Sequence, residues 1–140
     1  MFCVTNVEIE LSYDPRHPTC LAQLSITFDG CFVIHGLRLI QAHSGLYVAM
    51  PDECLKEHCR TCGRLQQCDH DFCSVCGQEN PMPKRSSKLY KDIAHPLNRA
   101  CRTMIHDAVV EAYIRAWVRE LQCYRRFVRS TSRHSKRLAA

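Results

Sequence analysis

The 140-residue sequence predicts an α+β fold: a small antiparallel β-sheet, a C-terminal helix, and a four-cysteine zinc module between them. Three observations predict it. Apolar and polar residues alternate in short segments before residue 51. An apolar spacing of three and four residues takes over after Pro96. Between the two lie a pair of Cys-x-x-Cys-Gly stretches, ten residues apart.

The first strand is "NVEIELSY", where Val7, Ile9, Leu11 and Tyr13 alternate with Asn6, Glu8, Glu10 and Ser12. A period of two puts one set on a buried face. "DPRHP" (14–18) is a turn segment. "LAQLSITF" alternates again, with Ala22, Leu24, Ile26 and Phe28 on one face. Asp29-Gly30 then leads into "CFVIHGLRLI". This is a strong hairpin signal, because a type I′ turn needs positive φ at both central residues. "GLYVAM" (45–50) is a fourth strand, and "KLYKDI" (88–93) a possible fifth. The early connections are too short for crossover helices, so pairing is antiparallel.

Pro96 is expected at the first helical position, where its missing N–H costs nothing. Leu97, Cys101, Met104, Ile105, Ala108, Val109, Ala112, Tyr113, Ala116 and Trp117 then form the apolar face of an amphipathic helix. It continues through Leu121 and Tyr124 to about Val128. Residues 129–140 are expected to be a basic flexible tail.

The length suits one domain, or one domain with a small module. An apolar fraction of 46% is enough for one core. No apolar run approaches the roughly 18 residues of a membrane helix, and the first residues do not read as a secretory signal. A cytoplasmic location is therefore expected, where thiols stay reduced and eleven cysteines argue for metal over disulfides.

Charge is unevenly spread. Residues 1–114 carry eleven Lys/Arg against thirteen Asp/Glu, and residues 115–140 carry eight against one. Such a basic end suits nucleic acid or an anionic surface, with a solvated helix end as the plain alternative.

Cys59, Cys62, Cys73 and Cys76 form Cys-x2-Cys-x10-Cys-x2-Cys, with Gly63 and Gly77 directly after each pair. Each knuckle aims two sulfurs at one point, and two knuckles give the tetrahedral ligand set of a structural Zn2+, one per chain. Four thiolates leave no position for a substrate. Leu65, Phe72 and Val75 are too few for a core, so the metal supplies most of the module's folding free energy, on the order of 10 kcal/mol. A thioredoxin-like pair would need one Cys-x-x-Cys beside a βαβ unit. Cys54, His58, Cys68 and His70 are possible competing ligands. Cys3, Cys20, Cys31, Cys101 and Cys123 are expected to be small buried apolar side chains.

"FVIHGLRLI" (32–40), "GLYVAMP" (45–51) and "DIAHPLN" (92–98), followed by Arg102, Ile105, "DAV" (107–109) and Tyr113, can be taken together. They closely resemble the SpoVG (septation protein) family of bacteria, over about residues 4–51 and 84–115. The family joins its Met-Pro strand to the Asp-Ile-Ala-His-Pro segment by a short basic loop. Here about thirty extra residues stand in that loop, as a zinc-ribbon-like insertion over 52–83. The flanking domain is then discontinuous, 1–51 and 84–128.

The resemblance implies a homodimer that binds DNA or RNA and acts as a regulator, including of septation and sporulation. Lys84, Arg85, Lys88, Arg99 and Arg102 match the family's basic loop and helix. His35, Arg38 and His95 match its motifs, either functionally or by tying strand and helix ends. Tyr47 and Tyr90 either stack on bases or pack on the sheet. Arg115, Arg119, Arg126, Arg129 and Arg133 recur at three- to seven-residue steps and extend the candidate nucleic-acid surface along the helix.

Three function classes follow. The first is the nucleic-acid-binding regulator. The second is a protein-interaction adaptor docking through the zinc ribbon, where the acidic surplus of Asp52, Glu53, Glu57, Asp69, Asp71 and Glu79 over Lys56, Arg60 and Arg64 argues against the ribbon itself gripping phosphate. The third, an enzyme, is not expected: the sequence shows no nucleophile–base pairing and no phosphate loop, and the metal site is closed.

Overall fold

The computed structural model describes residues 1–80 and 89–138, with residues 130–138 by backbone alone. The chain divides into two compact units, Met1–Ala49 with Pro96–Ala140, and Met50–His95.

The alternating segments become strands β1 (Val4–Leu11), β2 (Cys20–Phe28), β3 (Phe32–Ala42) and β4 (Gly45–Ala49). They form one antiparallel sheet in the order β1-β2-β3-β4. The turn after β2 has Asp29 at φ 50° and Gly30 at φ 67°, as the Asp-Gly pair demands. The Cys31 N–H closes it on the Phe28 carbonyl at 3.0 Å. Thr5 Oγ1 accepts the Gly30 N–H at 2.9 Å, and the Asp29 carboxylate accepts the Cys3 N–H at 2.9 Å, so the turn is tied to the start of β1.

A bulge interrupts β3. Ile26 faces Ile34 and Leu24 faces Leu37, so one extra residue is taken up around His35 and Gly36, the latter at φ 80°. The bulge keeps Leu37 and Leu39 on the same face as Leu24 and Ile26, and all four are buried.

The helix α1 (Arg99–Leu138) covers that face and approaches both edge strands, β1 and β4. Ile105 and Val109 are its buried side chains. His106 Nε2 lies 3.2 Å from the Leu46 carbonyl at the β4 edge. The start differs from expectation. Asn98, not Pro96, sets it: the Asn98 side chain accepts the Cys101 N–H at 2.8 Å, the geometry of an N-cap. Leu97 lies before the cap and is exposed, outside the expected apolar face. The far end differs too. Helical backbone runs on to Leu138, into the stretch 129–140 expected to be a flexible tail, because no Gly or Pro follows Pro96 to stop it.

The second unit has a two-stranded stem. β5 (Asp52–Cys54) pairs with β8 (Tyr90–Asp92), and β6 (Lys56–His58) pairs with β7 (Leu65–Gln67). The expected fifth strand is thus real but does not extend the main sheet. It zips the two ends of the inserted segment together, through Ile93 N–H to Pro51 carbonyl and Leu55 N–H to Leu89 carbonyl, both 2.8 Å. This stem makes the inserted unit wider than the 52–83 stretch read from the sequence.

Candidate metal centre and basic helix face

The two Cys-x-x-Cys-Gly stretches fold into matching knuckles. In the first, the Gly63 N–H donates to the Cys59 carbonyl at 2.8 Å and the Cys59 N–H to the Arg64 carbonyl at 2.8 Å. In the second, the Gly77 N–H donates to the Cys73 carbonyl at 2.9 Å and the Cys73 N–H to the Gln78 carbonyl at 2.8 Å. Gly63 and Gly77 have φ of 72° and 71°, a left-handed conformation that a Cβ would strain. The same turn is built twice because the same five-residue pattern occurs twice.

The four sulfurs converge. Cys59, Cys62, Cys73 and Cys76 place their Sγ atoms within 4.8 Å of one another. Cys59 to Cys76 and Cys62 to Cys73 are each 3.6 Å. A tetrahedron with Zn–S bonds of about 2.3 Å has edges of about 3.8 Å. A disulfide would need about 2.05 Å. The donor set and spacing therefore fit a tetrahedral dication. Cys59 and Cys73 are buried, while Cys62 and Cys76 face outward.

The electrostatics are those of a shared anion site. Backbone N–H groups of Cys62 and Thr61 hold the Cys59 thiol down to about 6. Those of Cys76 and Val75 lower Cys73. The Gln78 N–H also favours the Cys76 thiolate, but burial and the thiols of Cys59, Cys73 and Cys62 outweigh it, and Cys76 is pushed up to about 12. Like charges in one site oppose each other, and a bound dication removes that opposition.

None of the possible competing ligands joins the four. His58 Nδ1 sits 2.8 Å from the Gly63 carbonyl. His70 lies beside Asp69 at 3.8 Å. Cys68 is buried with its thiol raised by desolvation, and Cys54 donates to the carbonyl of Leu55. Leu65, Phe72 and Val75 are all exposed, so none of the three shields the sulfurs as a core would. The scattered cysteines correct an expectation. Cys3, Cys31 and Cys123 are exposed, and Cys20 and Cys101 are half-buried. Cys3 and Cys20 sit at strand starts, Cys31 in the turn, Cys101 in the first turn of α1 and Cys123 on the outer helix, where a period of two or 3.6 does not fully bury them.

The basic residues divide by position. Arg99 and Arg102 are exposed in the first turn of α1. Arg115, Arg119, Arg126 and Arg129 are exposed along one side of the helix. At about 100° per residue they fall within one broad face. Arg115 pairs with Glu111, and Arg119 Nε lies 3.5 Å from the Arg115 carbonyl. Arg133 continues the spacing where only the backbone is described. Lys84, Arg85 and Lys88 lie outside the described residues.

His35 stands in the β3 bulge with its Nδ1 2.8 Å from Ser25 Oγ. This hydroxyl–imidazole pair was invisible in the sequence, since a bulge decides which β2 residue His35 meets. Arg38 is half-buried on β3, between Gln23 and Ala49 in register. His95 is exposed. Tyr47 is about half exposed, as is Tyr90, whose hydroxyl reaches Asp69 at 3.4 Å. Among the described residues, no helix is long and apolar enough to cross a membrane.

The sequence model of the SpoVG family matches residues 2–115. The chain belongs to the SpoVG family. A septation protein SpoVG of Bdellovibrio bacteriovorus is 37% identical over 92 residues, 66% of this chain but 57% of its own length. One from Clostridioides difficile is 30% identical over 115 residues, 82% of this chain and 90% of its own. One from Caldicellulosiruptor saccharolyticus is 32% identical over 92 residues, 66% and 70% of the two chains. The SpoVG match ends at residue 115, so the outer part of α1 lies beyond it.

Proposed function

We propose that this SpoVG-family chain is a nucleic-acid-binding regulatory protein that works as a homodimer, carries one structural Zn2+ on Cys59, Cys62, Cys73 and Cys76, and catalyses no reaction of its own. The observation that carries the binding reading is the row of exposed arginines, Arg115, Arg119, Arg126 and Arg129, on one side of a helix that outruns its sheet. Arg99 and Arg102 add positive charge at the helix start. Phosphate is the ligand such a row suits, because it needs charge and no fixed sequence. Zinc is supported by the four-sulfur geometry, and a closed set of four thiolates leaves it no open position for chemistry.

The test is a salt titration of duplex and single-stranded nucleic acid binding. If about five phosphates are neutralised, log K against log salt falls with a slope near −4.5. Truncation after Tyr124 removes Arg126, Arg129 and Arg133 and should weaken binding to all sequences alike. Equal affinity for the full and truncated chains, or no salt dependence, would overturn the reading. That result would favour the adaptor, for which one observation speaks. A cleft of about 260 Å3 beside the first knuckle, lined by Glu57, His58, Arg60, Gln66, Gln78 and Glu79, is mixed in charge and polar. It suits a protein side chain better than a phosphate backbone.

A further inference from the structure

The outer half of α1 carries a second pattern, distinct from its sheet-facing one. Ile114, Trp117, Leu121, Tyr124 and Val128 recur at steps of three, four, three and four. That is the a/d spacing of a heptad. All five are exposed, Leu121 by 49% and Tyr124 by 65%. The buried helix residues Ile105 and Val109 do not fall on this register. The seam is therefore not a continuation of the core stripe. It is rotated away from the sheet, and most of it lies past the end of the SpoVG match.

We propose that this seam pairs with the same seam of a second copy, as a parallel, in-register, two-stranded coiled coil. The flanking charges select that occupant and that orientation. With Ile114 and Leu121 at a, Glu120 falls at g and Arg125 at e. In a parallel pair each g residue faces the e residue five positions on in the partner. Glu120 of each chain then meets the partner's Arg125, twice per dimer. An antiparallel pair sets g against g, which brings Glu120 against another Glu120 or against Phe127 and leaves no such match. The Tyr13 hydroxyl donates to Glu120 and so holds that carboxylate at the rim of an open groove of about 500 Å3. Trp117, Leu121, Tyr124 and Phe127 line the groove, which is mainly apolar. Arg115, Arg119, Arg126 and Arg129 fall at b and f, opposite the seam. Pairing thus leaves every arginine of the basic face outward, and doubles it.

The inference rests on the homodimer reading above, and the experiment separates the two. The zinc-loaded full chain is studied by sedimentation equilibrium, with circular dichroism to confirm the fold. Leu121→Arg, at a site exposed in the single chain, should weaken the dimer by roughly a hundredfold or more while helix content in the monomer survives. Glu120→Arg and Arg125→Glu should each weaken it about tenfold, and the double exchange should restore it. Losing the Tyr13 contact alone would not produce that rescue. A dimer that ignores Leu121→Arg sinks the seam and leaves the homodimer standing on another surface. A dimer broken by Leu121→Arg but not rescued by the charge exchange rejects the parallel register. A monomeric parent chain rejects both readings.

Discussion

Ile26, Leu37, Leu39 and Val109 are almost wholly withdrawn from solvent in the sheet-and-helix unit, whereas the unit of residues 50–95 buries Cys59, Cys68, Cys73, Met50 and Leu89. Leu65, Phe72, Val75 and Ile93 of that second unit are exposed. One unit is held by hydrophobic burial across a sheet and a helix. The other is held by two hydrogen-bonded knuckles, a short stem and a four-sulfur site. The contrast shows two ways in which short segments of one chain hold a structure. In the second unit the β5–β8 stem closes the segment at its base, where loop lengthening costs little entropy.

The largest expected effect tests the dependence on metal. Cys62→Ser, or chelation, should drop zinc well below one per chain and release amide protection over residues 56–80. The loss is on the order of 10 kcal/mol of folding free energy for that unit. Protection over residues 20–49 and 101–113 should stay. Hydrogen exchange reads both regions at once, and an insert that stays protected without metal would refute the division.

The reverse experiment strikes the apolar core. Ile26 has no exposed surface, and Ile26→Ala should destabilise the sheet-and-helix unit by about 2–5 kcal/mol through lost burial and a cavity. Metal content should not change. If zinc leaves together with the sheet's structure, the two units do not fold independently.

The smallest effect sharpens the first unit alone. Asn98→Ala removes the acceptor for the Cys101 N–H and should cost about 1 kcal/mol. Asn98→Asp should cost far less, since a carboxylate caps equally well. Denaturant midpoints for the three chains give the comparison, and equal midpoints would mean that the cap is satisfied by water.

Much of this was legible in the residues. Period-two alternation marks β1 to β4, because a strand with one face on a core has no other solution. Asp29-Gly30 fixes a turn, because few residue pairs tolerate two positive φ angles. The Cys-x-x-Cys-Gly repeat marks the four-sulfur cluster, because local spacing alone aims each pair of sulfurs. The family motifs, too, stand in the sequence in their order. What the sequence could not decide are the partnerships between distant segments. Residues 88–93 read as a strand but not as the partner of β5, since a short polar strand carries no label for the sheet that it joins. His35 meets Ser25 only because a bulge shifts the register. Pro96 read as the helix start, and the Asn98 side chain took that role instead, since a cap depends on where an oxygen points. The scattered cysteines read as core, yet Cys3, Cys31 and Cys123 are exposed and Cys20 and Cys101 only half-buried, because burial depends on which face a neighbouring element covers. Local periodicity is written along the chain, while pairing, register and coverage arise only when remote segments meet.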